Sequence, residues 1–293
     1  MILVTGGTGF IGSELVDYLL KSREQVRILL HPSPNSPNLP RGIAFETAVC
    51  SLDDERGLRA AMQGIQWVFH LASAEHQATH DLAAVDVEGT KAVVFAAVQA
   101  NVKRFMYLSH IGADKNSLFP VQKAKALAEE SIILSGLNYT IFRSSIIFGK
   151  NDHFTTQIER ALHNSIVFFP LPGSEEVTLQ PLWISDLITC MLLAMRNERT
   201  FNKRLEIGGG EFLTFRAITK LIMTKIKKNR LLIPLSPAYL RTANLWLGRL
   251  TRKFPYSNAW LDYLAADHTC ALDTLPKWFG LLPARFAYHL DYL

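Results

Sequence analysis

The chain has 293 residues, of which 48% are hydrophobic and 19% are charged, and its formal net charge is +5. This composition excludes intrinsic disorder and fits one large globular domain, or a core domain with a smaller partner. The sequence has no apolar run of the roughly 20 residues that a membrane-spanning helix needs. Because it opens on the apolar MILV, without the charged leader of a secretory signal, we expect a cytoplasmic protein.

The positive charge is concentrated in residues 212–261. This segment contains ten Lys or Arg residues and no Asp or Glu, which leaves 21 basic and 26 acidic residues elsewhere. Apolar residues alternate with the cations, so the segment predicts either amphipathic helices packed on the domain or a surface that lies on an anionic membrane, peripherally bound. Nucleic acid is not an expected partner, because no recognition motif accompanies the charge.

Cysteine and histidine spacing indicates neither a disulfide framework nor a metal site. The three cysteines are widely spaced and are expected to be buried thiols: Cys50, Cys190 and Cys270. A group of histidines and carboxylates lies close in sequence, without the spacing of metal ligands: His70, Glu75, His76, His80 and Asp81. We therefore expect no metal.

Residues 1–149 alternate short apolar runs with segments of helical periodicity, which predicts parallel β/α units. The predicted strands are ILVTGG, VRILLH, GIAFETAV, WVFHLAS, KRFMYLSH and YTIFRSSIIFG. The predicted helices are GSELVDYLLKSR, DERGLRAAMQG, DVEGTKAVVFAAVQAN and KAKALAEESIILSG, and the last three end at Gly64, Asn101 and Gly136. The fold class is therefore α/β, a doubly wound parallel sheet of the Rossmann type.

Prolines become frequent after residue 165, and we predict that residues 150–293 form a smaller, mixed region on the substrate side. Two parts of it, about 177–195 and 204–210, are expected to pack back on the Rossmann sheet. The first contains a strand entering a helix, with Ser185 or Asp186 near the N-cap.

The stretch VTGGTGFIGSELVDYLL places three glycines between the first strand and the first helix. Gly6 permits a tight turn, Gly9 lets backbone amides approach a pyrophosphate, and Gly12 lets helix and strand pack closely. The phosphates would lie at the positive N-terminus of the helix. A dinucleotide site is therefore expected here, with further contacts from Thr8, Phe10 and Ile11.

The end of the second strand, Leu30-His31-Pro32, bears on the choice between NAD and NADP. An acidic residue there would bind the ribose hydroxyls of NAD, whereas a basic one would accept the extra phosphate of NADP. No Asp or Glu is present at this point, and His31 with Ser33 offers a small polar site for a phosphate. The pattern favours NADP and leaves NAD open.

Several motifs together resemble the short-chain dehydrogenase/reductase superfamily, in its extended or atypical branches. They are TGGTGFIG, HLAS at 70–73, VDVEGTKAVVFAA at 85–97, RFMYLSHIGAD at 104–114 and FRSSIIFGKND at 142–152. The branches include NmrA-like proteins, NAD-dependent epimerases and dehydratases, and the nucleotide-binding accessory subunit of respiratory complex I. The resemblance implies an NAD(P)-binding Rossmann protein, with cofactor contacts from Ser51, Leu52, Leu71, Ala72, Ser73, Lys125, Ser145 and Ile146.

In that superfamily a Tyr and a Lys four residues later share one helix face, the Tyr acting as the acid and the Lys holding the nicotinamide ribose. Matching the helix places Lys125 at the lysine and Val121 at the tyrosine, so the usual acid is missing. If Lys123 took the lysine's place instead, Phe119 would stand at the tyrosine, and it is no acid either. Lys123 points roughly 200° away from Lys125 on a helix and should face solvent. The alternative for Lys125 is a surface lysine paired with Glu129.

The resemblance further implies a substrate-orienting Ser109 at the end of the fifth strand, followed by His110 where the family often has a second Ser. His110 could replace the missing phenol as an acid, or could merely line the site. Two functions stay open: a cofactor-binding regulatory or assembly protein, and an NAD(P)-dependent oxidoreductase or epimerase/dehydratase. The acid of the second would be His110, a bound water or a residue from the second half of the chain. The substrate or protein partner is not identified by the sequence.

Overall fold

In the computed structural model, residues 1–34, 39, 45–75, 79–172, 177–247 and 258–293 are described. The chain forms two compact units, one of residues 1–144 and 187–206 and the other of residues 145–186 and 207–293. The predicted boundary at residue 149, between a cofactor domain and a substrate region, is a functional division and stays a prediction.

The first unit is built on a seven-stranded parallel sheet. Its strands are β1 (Ile2–Thr5), β2 (Val26–Leu30), β3 (Glu46–Val49), β4 (Trp67–His70), β5 (Arg104–His110) and β6 (Tyr139–Ser144), with β11 (Lys203–Ile207) as the seventh. The strand order is β11-β6-β5-β4-β1-β2-β3. The order reverses direction between β1 and β4, and such a switch point opens a crevice at the carboxyl ends of the strands. The predicted Rossmann-type fold is confirmed.

Helices flank this sheet. They are α1 (Phe10–Lys21), α2 (Glu55–Ala61), α3 (Thr79–Leu82), a π-helix (Ala83–Gly89), α4 (Thr90–Gln99), α5 (Pro120–Leu134) and α7 (Ile184–Arg196). Side chains of α2, α4 and α5 share one core with the strands, including Leu58, Val93 and Ile132. All four residues of β1 are buried, because both faces of a parallel sheet are covered.

The predicted helix ends are close to those observed. Gly64, Asn101 and Gly136 follow α2, α4 and α5 and adopt positive φ angles of 75°, 52° and 79°. This left-handed conformation closes a helix and is easiest for Gly or Asn. Ser185 and Asp186, predicted near the N-cap of α7, lie in its first turn, since the helix begins at Ile184.

The second unit contains short strands paired in twos around its own core. The elements are β7 (Ile147–Phe148), α6 (Thr155–Asn164), β8 (Phe168–Pro172), β9 (Thr178–Leu179), β10 (Leu182–Trp183), β12 (Leu213–Thr214), α8 (Phe215–Lys225), β13 (Leu231–Leu235), α9 (Pro237–Leu247), α10 (Asn258–Tyr263) and α11 (Thr274–Phe279). Its core includes Phe148, Phe169, Ile218 and Phe286. The predicted run YTIFRSSIIFG is thus two strands, β6 and β7, and not one.

Cys50 and Cys190 are buried as expected, Cys270 is partly exposed, and none of the three forms a disulfide. No group of metal-ligating side chains occurs within the described residues. His76 lies outside them, and His70 has a different role.

His70, the last residue of β4, is fully buried and joins three elements of the first unit. The Thr5 hydroxyl lies 2.7 Å from Nδ1, and the Thr90 hydroxyl lies 2.9 Å from Nε2. The Thr5 oxygen already accepts bonds from the amides of Leu71 and Ala72, so its own proton points to Nδ1. The imidazole is therefore neutral and donates from Nε2 to Thr90, which connects β1, β4 and α4.

Burial lowers the pKa of His70 to about 4, and the positive charge of Lys125 lowers it as well. In the unfolded chain the same imidazole has a pKa near 6.5. Between about pH 4 and pH 6.5, the imidazole is therefore protonated in the unfolded state but not in the folded state. The contribution of His70 to stability is complete above about pH 6.5 and is lost as the pH falls towards 4.

We expect the wild-type protein to lose about 2 kcal/mol of unfolding free energy through His70 between pH 7 and pH 5. Urea unfolding at both pH values would measure the loss. His70→Gln should show a pH dependence weaker by this amount, whereas His163→Gln, at a half-exposed position of α6, should behave as wild type. The same pH dependence in wild type and His70→Gln would contradict this account.

Candidate functional site

The turn between β1 and α1 can be built only with glycine at two of its positions. Gly6 has a φ of +68°, and a Cβ atom there would lie 2.7 Å from the Ala72 nitrogen. A Cβ atom at Gly12 would lie 2.1 Å from the Gly6 carbonyl oxygen. The Gly9 amide donates to that same oxygen at 3.0 Å, and Gly9 is the N-cap of α1. The turn thus brings the N-terminus of α1 to the edge of the sheet.

The predicted cofactor contacts of the first unit lie along this edge. Leu71 and Ala72 follow β4 and face Gly6, as the close approach of their backbones shows. Thr8 is exposed in the turn, while Phe10 and Ile11 are half-buried at the start of α1. The helix end presents unpaired backbone amides, which favour an anion such as a pyrophosphate.

The ends of β2 and β3 lie beside each other, since the Cys50 amide donates to the Leu30 carbonyl at 3.1 Å. His31 and Ser33 are exposed after β2. Ser51, after β3, donates a hydrogen bond to the Asp53 carboxylate. This bond, first, and the nearby charge of His31 lower the pKa of Asp53. The sequence analysis did not identify Asp53 as part of this edge. Its position two residues after Ser51 was the signal that could have indicated it.

Leu52 packs on the π-helix, where a Cβ atom on Gly89 would lie 2.7 Å from its Cδ1 atom. Ser145 and Ile146 belong to the second unit. There the Ser145 hydroxyl donates to the Gln180 carbonyl, and Ile146 is buried in the core.

Lys125 is buried in α5 and forms an ion pair with Asp86 of the π-helix, with 3.0 Å between Nζ and Oδ1. The ammonium also donates to the Ser73 hydroxyl at 3.1 Å, and it lies 4.0 Å from the Glu75 carboxylate. Lys123 is exposed, as expected. The alternative of a surface Lys125 paired with Glu129 is wrong, because Lys125 is buried and pairs with Asp86.

The buried carboxylate of Asp86 accepts from two further groups. The Ser73 hydroxyl donates to Oδ1 at 2.7 Å, and the Ala74 amide donates to Oδ2 at 2.8 Å. Burial by itself would lower the pKa of Lys125, but the negative charges of Asp86 and Glu75 outweigh it and raise that pKa. The lysine therefore stays protonated and acts as a fixed positive charge.

His110, at the end of β5, joins this group through Glu75. Its Nε2 atom lies 2.8 Å from Glu75 Oε2, and both side chains are partly exposed, at 18% and 23%. We call Ser73, Glu75, Asp86, His110 and Lys125 the lysine cluster. It places a partly exposed imidazole and carboxylate next to a buried ammonium.

Ser109 is held in a different arrangement from its neighbour. It is buried, and its hydroxyl donates to Glu129 Oε1 at 2.5 Å. Glu129 also accepts from Arg143, with 2.7 Å between Oε2 and Nη2. Of the three candidate catalytic residues, His110 and Lys125 therefore lie in one cluster, whereas Ser109 is hydrogen-bonded to Glu129 outside it. The sequence did not reveal these carboxylate partners, which come from distant segments.

Comparison with known proteins identifies the same region. The model of an NAD(P)H-binding family matches residues 6–165. Subunit 9 of the NADH dehydrogenase (ubiquinone) 1 alpha subcomplex of Arabidopsis thaliana is 25% identical over 77% of this chain and 58% of its own length. Sterol demethylase protein B of Methylococcus capsulatus is 28% identical over 86% of this chain and 82% of its own length.

Among solved structures, a UDP-glucose 4-epimerase of Thermotoga maritima superposes with a TM-score of 0.73. It is 22% identical and the match covers 99% of this chain and 96% of the epimerase. At this identity the likeness concerns the fold alone. It agrees with the predicted Rossmann-type fold.

The family match begins at Gly6, the first glycine of the turn, and includes all five residues of the lysine cluster. It covers more than half of the chain. The turn, the edge of the sheet and the match point to one cofactor, a nicotinamide dinucleotide, and the chain belongs to the NAD(P)H-binding family.

Proposed function

We propose that this protein binds a nicotinamide dinucleotide for a regulatory or assembly role and does not use it in catalysis. The observation that carries the proposal is the residue one helical turn before Lys125. That position is Val121, whose side chain packs with Ala74, Leu82 and Val87 in an apolar cluster. A valine cannot donate a proton, so the helix supplies a cation for the cofactor without an acid for a substrate.

Tyr107 does not replace that acid. Its ring lies 5.5 Å from Lys125 Nζ, but only 1% of the residue is exposed. Burial raises the pKa of Tyr107, and its hydroxyl has no hydrogen-bond partner within the described residues. A phenol held in this way is a core residue. The similarity to an accessory subunit of an NADH dehydrogenase supports a role inside a larger assembly.

A second candidate function is supported by the bond between His110 and Glu75. An imidazole fixed by a carboxylate and partly open to solvent is a common general acid and base. In this alternative the protein is an oxidoreductase or an epimerase/dehydratase in which His110 protonates the substrate oxygen, and Lys125 holds the cofactor.

We further propose that NADP is preferred to NAD. No carboxylate follows β2 directly, and His31 with Ser33 would accept the additional phosphate. The Asp53 carboxylate lies near His31 and would weaken this preference by repelling a phosphate.

Thermal-shift titration with NADP and NAD tests cofactor binding and the role of Lys125. A ligand that binds only the folded state raises the melting temperature according to its affinity. Lys125→Met should weaken binding about tenfold or more, since a charged hydrogen bond is lost. Lys123→Met, two residues earlier on the exposed face of the same helix, is the matched control and should bind as wild type. Equal shifts in the two variants would reject the role of Lys125.

The cofactor preference is tested with two variants in the same titration. His31→Ala should weaken NADP and leave NAD unchanged, because only NADP carries the additional phosphate. Asp53→Asn should strengthen NADP more than NAD, because a repelling charge is removed. A loss of NAD affinity in His31→Ala equal to the loss for NADP would show that His31 does not recognise the phosphate.

Oxidation of NADPH and NADH with a panel of small aldehydes, ketones and quinones separates the two functions. The first proposal predicts no turnover above the uncatalysed rate, although the cofactor binds. The second predicts turnover that His110→Ala lowers by about 100-fold or more while the thermal shift by cofactor is retained. Turnover that persists in His110→Ala would reject both.

A further inference from the structure

The second unit contains a basic pocket of about 600 Å³ at the junction of α8 and β13. Five of its lining residues are cations and none is acidic. The cations are Arg216, Lys220, Lys227, Lys228 and Arg230. Apolar side chains, among them Met223, Leu231 and Leu232, complete the lining. We call this the basic pocket.

The turn after α8 holds two of these lysines in place. The amides of Lys227 and Lys228 donate to the carbonyls of Thr224 and Met223, at 3.3 and 3.0 Å. Lys227 has a φ of +54°, a left-handed conformation in which Gly or Asn is more usual. Cations at this end of a helix are favoured by its dipole, but Lys225 already supplies one. The additional lysines therefore concentrate charge at the pocket beyond what the helix requires.

Three lysines of the basic pocket differ from the neighbouring Lys225 in their ion pairing. Lys225 forms an ion pair with Asp291. Within the described part of the chain, Lys220, Lys227 and Lys228 form no ion pair with a carboxylate. Their mutual repulsion is unrelieved, so the pocket attracts an anion with several negative oxygens.

An exposed apolar edge adjoins the pocket. The Leu231 amide donates to the Val167 carbonyl at 2.9 Å, and the Arg230 Nε atom donates to the Ser165 carbonyl at 2.7 Å. These bonds hold the segment before β8 against the pocket wall. Ile166 is 88% exposed, and Phe168 and Leu231 are 57% and 59% exposed. Large apolar side chains clustered in this way mark an interaction surface.

We propose that this face docks on a membrane by binding the phosphate of an anionic phospholipid. The basic pocket holds the headgroup, and Ile166, Phe168 and Leu231 enter the boundary between headgroups and acyl chains. Charge and exposed apolar area together fit a lipid surface, whereas a nucleic acid strand would match neither the single pocket nor the aliphatic edge. The docking does not depend on the cofactor and thus goes beyond the proposed function.

No helix in the described ranges is long and apolar enough to cross a membrane. Docking would therefore act through the surface of the folded unit. Flotation with phosphatidylcholine vesicles, with and without phosphatidylglycerol, tests it in the full chain. We expect binding only when phosphatidylglycerol is present, and weaker binding as salt screens the charges. Failure to bind, or equal binding to both vesicles, overturns the proposal.

Paired variants locate the surface. Lys227→Glu combined with Lys228→Glu should weaken vesicle partitioning by more than about tenfold, whereas Lys103→Glu combined with Lys203→Glu, the same charge change on the first unit, should have a small effect. The double variant Ile166→Ser with Phe168→Ser should also weaken vesicle binding. Leu118→Ser, at a position 96% exposed, is the apolar control and should bind as wild type.

Circular dichroism melting would verify that each variant is folded. Equal losses in test and control variants overturn the proposal.

Competition distinguishes other anions from lipid. A short DNA duplex that displaces the vesicles and binds more tightly than they do would identify a nucleic acid surface. A melting shift by inorganic phosphate that Lys227→Glu and Lys228→Glu abolish, without vesicle binding by wild type, would identify a site for a soluble anion. Either result would overturn the membrane proposal.

Discussion

The buried ion pair between Lys125 and Asp86 is the interaction on which the geometry of the site depends. Removing two charges from water costs more than their attraction returns unless their other hydrogen-bonding positions are also filled. Here the Ser73 hydroxyl and the Ala74 amide fill those of Asp86. The pair joins α5, the π-helix and the segment after β4, so these three elements cannot shift independently. Two apolar side chains could hold these three elements together equally well. The presence of a buried cation at position 125 therefore supports a functional role for Lys125.

The π-helix is the second constraint. Its wider turn carries Asp86, and such segments often occur at functional sites. Gly89 ends it, where the side chain of Leu52 leaves no space for a Cβ atom. The loop after β3 thus packs directly on the helix that positions the carboxylate. Two glycines thus allow close contacts at this edge, Gly6 with the backbone of Ala72 and Gly89 with the side chain of Leu52.

Local features of the chain were predictable from the sequence. The glycine turn, the strands of the sheet and the helix ends at Gly64 and Gly136 follow from residues close to one another in the chain. The same was true of Lys125, since its apolar neighbours place it on the buried face of α5. The helical spacing of apolar residues could not show which carboxylate would pair with Lys125, because Asp86 lies 39 positions earlier in the chain.

Other features depended on contacts between distant segments, and the sequence alone could not show which of the possible contacts would form. Glu75 follows β4 by five residues and Glu129 lies in a helix, so both were compatible with solvent exposure. The direction of Ser109 is set by its hydrogen bond to Glu129, and Glu129 also pairs with Arg143, so the arrangement depends on β5, β6 and α5 together. The start of α7 was predicted only to within two residues, because Ser185 and Asp186 are both strong capping residues and the helix begins at Ile184.

The ion pair also limits the chemistry that the site can perform. Asp86 and Glu75 raise the pKa of Lys125, so its ammonium cannot give up a proton near neutral pH. Ser109 is bonded to Glu129, and the pKa of the buried Tyr107 is raised as well. His110 and Glu75 are the partly exposed members of the lysine cluster, and Glu75 Oε2 lies 2.8 Å from His110 Nε2 and 4.0 Å from Lys125 Nζ. A cofactor held by Lys125 and a substrate protonated by His110 would thus be coupled through one oxygen atom of Glu75.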